Sequence, residues 1–152
     1  MVVRFKRRAK RRPIPNKKDW AGFEKDLDVQ YFHRLAFGKS NEEIQPLFEN
    51  GRSIERSDEL LFAPRAVFQY YVHGFAAYLM SAKGKGDSDA ASSFLGLLKT
   101  REDRDSGSVK EIYAELATYV EFVASHQAYF EADQNIYGNF ADRVNDIRRA
   151  CT

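Results

Sequence analysis

The sequence predicts an all-α protein: a compact helical bundle of five to seven helices with a disordered basic N-terminal arm. Three observations carry this. Residues Ala66 to Ala82 contain no charge, and 13 of the 17 are apolar or aromatic. A second run sets Val109, Ile112, Leu116, Val120, Val123 and Phe130 at helical spacing. No stretch alternates apolar and polar residues with period two for long enough to read as a strand. The bundle is therefore expected around two central helices, near 65–82 and 109–131.

The first run is apolar around most of its circumference, which means burial in a domain or in a bilayer. A membrane span needs about 20 apolar residues. This run is shorter and carries Gln69 and His73 within it, so it reads as the middle of a bundle and not as a transmembrane segment. Gly74, in mid-helix, costs about 1 kcal/mol against Ala. A close helix crossing at that point would explain it.

The other elements follow in order. Trp20, Phe23, Leu27, Tyr31 and Leu35 form a helical stripe, with Asp19 suited to the N-cap and Gly38 to the position after the helix. Ser40 and Glu43 have capping-box spacing. Pro46 then interrupts, so a short or broken helix is expected through Phe48, ending at Asn50-Gly51. Ser57-Asp58-Glu59 can start another turn, and Pro64 sits near the first turn of the long apolar helix. After the loop Lys83-Gly84-Lys85-Gly86, Asp87 or Ser88 can cap a helix that shows Ala91, Phe94, Leu95 and Leu98 on one face. Arg101 to Gly107 is charged and aperiodic and reads as a loop. Ser108 and Glu111 form the better of the two capping boxes, opening the 109–131 run. Gly138-Asn139 ends the pattern. A last helix carries Phe140, Val144 and Ile147, with Arg148 and Arg149 at the negative end of its dipole.

Charge is segregated along the chain. Residues 1–18 hold nine basic side chains (Arg4, Lys6, Arg7, Arg8, Lys10, Arg11, Arg12, Lys17, Lys18) and no acidic one. The remaining 134 residues carry 15 basic and 22 acidic groups, a net of −7 beneath the overall +2. The domain reading is accordingly a flexible arm over 1–18 and a single helical domain over 19–152. Residues 1–18 offer too little apolar surface to offset about 1–2 kcal/mol of backbone entropy per residue. The lone Cys151 cannot form an internal disulfide, and no apolar signal region follows the basic start before Pro13. A cytoplasmic location is expected.

Motifs for chemistry are missing. The residues three before His33, His73 and His126 are Gln30, Tyr70 and Val123, so no Glu-x-x-His pair can build a di-iron site. No zinc spacing is present, and Asp103-Arg104-Asp105 lacks the Gly and the final Glu of a calcium loop. Gly84-Lys85-Gly86 has neither the strand nor the Lys-Ser/Thr of a phosphate loop. No metal, no cofactor and no catalytic residue is assigned, and the chain reads as a non-enzyme.

Two features remain. Gln69, Tyr70 and His73, with Tyr71 and Tyr78 nearby, mark either a ligand pocket or a core histidine in a hydrogen-bond network. The nine arm cations form an electrostatic footprint for a polyanion, contacting RNA or DNA phosphate without reading sequence. The same charge suits an anionic membrane surface, or a solvated tail. The sequence thus reads as a helical interaction module with a nucleic-acid-binding arm, serving as a subunit of a larger assembly. The alternative is an acidic protein-binding module that caps a basic partner, as an antitoxin, immunity-type inhibitor or adaptor does.

Overall fold

A computed structural model describes residues 12–152. Helices α1 (Leu27–Ala36), α2 (Asn41–Ile44), α3 (Ser53–Phe62), α4 (Arg65–Met80), α5 (Ser88–Arg104), α6 (Tyr113–Ser125), α7 (Gln134–Tyr137) and α8 (Phe140–Ala150) follow in order. Two of them, α2 and α7, are single turns, which leaves six of ten residues or more. Among the described residues there is no strand, and no helix is long and apolar enough to cross a membrane. The all-α bundle expected from the sequence is what the chain forms.

Helix α4 is the axis. It buries 11 of its 16 residues, on every side. It packs against α2, α3, α5, α6 and the 3-10 turn Gln45–Phe48, while α8 lies across α5 and α6. The Gly74 expectation holds. A Cβ placed there would stand 2.7 Å from Asn41 Oδ1 and 2.8 Å from Ile44 Cδ1, so α2 crosses α4 at van der Waals contact with its backbone. The second run does not match α4. It ends as a helix at Ser125, and within α6 it buries only Leu116, Val120 and Val123, a single stripe. Val109, Ile112, Leu116, Val120, Val123 and Phe130 are nonetheless all fully buried, so the second run joins α4 in the core although only Tyr113–Ser125 of it is α-helix.

The first helix starts later than the pattern implied. Asn16 and Asp19 exchange backbone-to-side-chain bonds of 2.9 Å in a turn, and Gly22 takes a left-handed φ of 95°. Only glycine does this without steric cost. Asp26 then caps α1 by accepting from Val29 N–H. The shift moves the buried face to Val29, Phe32 and Ala36, leaving Leu27 81% exposed. Trp20 is buried all the same, from the loop, against Phe32 and Tyr71.

Two further corrections concern starts and stops. Helix α3 begins at Ser53, not at Ser57. The stretch from Arg101, expected as loop, is helical through Arg104, and Arg101 and Glu102 are buried. Of the two capping boxes, Ser40–Glu43 forms in full. Ser108–Glu111 does not form.

Candidate phosphate-contacting arm and the polar seam at its root

The failed capping box leads into the main polar cluster. Glu102, in the last turn of α5, accepts from the backbone N–H groups of Gly107, Val109 and Lys110 at 2.6, 2.8 and 2.9 Å. A carboxylate from α5 thus satisfies backbone amides that lead into the 3-10 turn Lys110–Ile112 ahead of α6. Burial pushes the Glu102 carboxyl up, but those three amides hold it below the ordinary range. Beside it, Arg101 donates through Nη1 to the carbonyls of Leu60, Leu61 and Ala63, and through Nε to Ser108 Oγ. Its guanidinium lies 4.8 Å from the Phe68 ring centroid. Ser108 is therefore an acceptor for Arg101 and not a cap for its own helix. The residues of this latch carry no apolar period, which is why the stretch reads as loop in sequence.

The latch continues along the seam between α4 and α6. Arg65 pairs with Asp105 and Glu111. Gln69 Nε2 donates to Ser108 O at 3.0 Å and to Glu111 Oε1 at 2.9 Å. One helical turn on, His73 Nδ1 lies 2.9 Å from the Gln69 carbonyl. Its Nε2 lies 3.0 Å from Glu115 Oε1 on α6. Tyr70 accepts from Asn41 N–H through its hydroxyl at 3.2 Å, and from Asn41 Nδ2 through its carbonyl at 3.0 Å. Gln69, Tyr70 and His73 are thus tied into the inter-helix network that a buried polar cluster requires. Tyr71 reaches the carbonyls of Ala36 and Lys39, and Tyr78 donates to Asp87. Burial pushes both phenols above their ordinary range.

A depression lies elsewhere, between α3 and α5. It is a shallow groove of about 210 Å³ lined by Ile54, Ser57, Asp58, Leu61, Ser93, Gly96, Leu97 and Thr100. Among the described residues, no three His, Cys, Asp or Glu side chains are gathered as metal ligands. Cys151 is buried, and burial pushes its thiol up to about 11.

Of the nine arm cations, Arg4, Lys6, Arg7, Arg8, Lys10 and Arg11 lie outside the described residues. Arg12 is placed on the body: its Nη2 donates to Glu115 Oε2 at 3.1 Å and its Nε to Oε1 at 3.3 Å. Pro15 is buried. Lys17 and Lys18 are exposed and form no ion pair among the described residues. Glu115 therefore joins Arg12 to His73, and the root of the arm meets the seam beside the residues singled out as a pocket. Sequence reading missed Glu115, because nothing local in the chain relates it to Arg12, 103 positions away. In a comparison with known proteins, the chain matches no family model, no curated protein and no solved structure.

Proposed function

We infer that this chain is a non-enzymatic helical interaction module whose basic N-terminal segment contacts nucleic-acid phosphate within a larger assembly. The observation that carries this reading is the segregation of charge: nine cations and no acid in residues 1–18, against a net of −7 in the remainder. Such a segment draws a polyanion through the field it projects. The body repels one. Lys17 and Lys18, exposed and in no ion pair among the described residues, extend the cationic stretch to the edge of the helical domain. Flexible Lys and Arg side chains contact mainly phosphate, so recognition is largely independent of sequence.

The test is fluorescence anisotropy of labelled single-stranded RNA and duplex DNA with two proteins. One is the full chain. The other is a full-length variant in which Arg4, Lys6, Arg7, Arg8, Lys10 and Arg11 are all replaced by Gln. The reading expects tight, salt-sensitive binding by the first and loss of it in the second. Equal binding by both, or binding by neither at low salt, rejects it.

A further inference from the structure

Among the described residues, Glu115 is the one acid in an ion pair with a cation of the 1–18 segment. Both its oxygens are engaged by Arg12, and Oε1 also faces His73 Nε2 at 3.0 Å. His73 is fixed in turn from its other nitrogen. Its Nδ1 lies 2.9 Å from the Gln69 carbonyl. The carboxylate is held in place from the α4 side and presents itself to the arm on the other. Beyond Arg12, Pro15 is buried and the Asn16–Asp19 turn is closed by its two reciprocal bonds. The basic segment is therefore anchored to the body at Arg12, not at Lys18.

We propose that Glu115, positioned by His73, is an internal competitor for phosphate: it occupies Arg12, anchors the arm on the α4–α6 seam, and withholds one cation from a bound polyanion. This rests on the phosphate-contacting reading of the arm. Arg12 and Glu115 side chains are 36% and 23% exposed, so both solvent and a phosphate can reach the pair. Ion pairs this exposed are weak. The guanidinium fork fits a phosphate as well as a carboxylate. Removing the carboxylate while keeping its shape should therefore free Arg12 for the ligand.

The experiment compares the full chain with Glu115→Gln, Arg12→Gln and the double variant, using a labelled 20-nucleotide single-stranded RNA over a salt series. Glu115→Gln should steepen the slope of log K against log salt by about 0.7, the increment for one added phosphate contact on a single strand. Affinity should rise several-fold at low salt. Arg12→Gln should leave the slope unchanged, and the double variant should match it. A gain that persists in the double variant would be bulk charge removal and would overturn the proposal, as would no gain in Glu115→Gln. A readout without RNA keeps the two readings apart. Ring proton resonances of His73 should shift in Arg12→Gln and stay in place in Lys17→Gln. If those shifts appear but none of the four proteins binds RNA, the polyanion reading fails although the anchor is real. If His73 does not respond to Arg12→Gln, the anchor itself is absent.

Discussion

Two polar clusters lie along the same side of α4, and they are built to different ends. The latch around Arg101 and Glu102 is buried, and its donors and acceptors are matched mainly to backbone groups of two stretches, 60–63 and 107–110. The seam at Arg12, Glu115 and His73 is half-exposed and joins side chains to side chains. Low dielectric makes the first expensive to disturb, whereas solvent makes the second inexpensive to rearrange. Stability is concentrated at the N-terminal end of α4 and exchangeable contact at its middle.

The comparison breaks most readily at Arg101. Arg101→Met removes the donors to the carbonyls of Leu60, Leu61 and Ala63 and leaves Asp105 without one of its partners. A loss of about 3–5 kcal/mol in urea unfolding is expected, as when one member of a buried charged network is removed. A loss below about 1 kcal/mol would mean that the latch does not hold α3, α4 and α5 together. Gly74→Ala comes next. Asn41 is tied to Tyr70, and Ile44 is fully buried, so neither yields to a new methyl group. Overpacking should cost about 1–3 kcal/mol despite the better helix propensity of Ala.

Glu59 offers a pH-dependent test of burial as the deciding factor. It is paired with Arg56 in the α3 interior, and burial pushes its carboxyl up to about 7 against the pull of that arginine. A carboxyl raised above its unfolded value binds its proton more tightly in the folded chain. Its contribution is therefore complete below the ordinary 4.5 and is lost as pH rises through about 7. One proton sets the limit, about 1.4 kcal/mol per pH unit. Unfolding midpoints between pH 4.5 and 8 should fall more steeply for the natural chain than for Glu59→Gln. Parallel curves would contradict the burial argument. The smallest expected effect is at the seam. Glu115→Gln should change stability by only about 0.2–1 kcal/mol. A larger loss would place the seam with the latch and remove the contrast between them.

How much of this could be read from the chain follows the same division. The apolar run of α4 and its Gly74 crossing were legible, because a helix buried on all sides writes its period and its exceptions directly into the residues. The Ser40–Glu43 box was legible too, being local. The Ser108–Glu111 box was not, although its spacing is as good, because the Ser108 and Glu111 amides bond to the carbonyls of Asp105 and Gly107 and Arg101 takes the Ser108 hydroxyl. The Leu27–Tyr31–Leu35 stripe misled for a related reason. One left-handed residue, Gly22, and one cap, Asp26, reset the frame of α1. Of the arm, its charge was legible but its anchor was not, since Arg12 and Glu115 are 103 positions apart and meet only in the folded chain.

The central claim is that the cationic segment, and not the helical body, carries affinity for a polyanion. The direct measurement is the salt dependence of binding to single-stranded RNA and duplex DNA by the full chain, beside the variant with the six cations from Arg4 to Arg11 neutralised. Six phosphate contacts predict slopes of about −4 on the single strand and about −5 on the duplex, collapsing toward zero in the variant. A full chain that does not bind, or a variant that keeps the slope, would contradict the account.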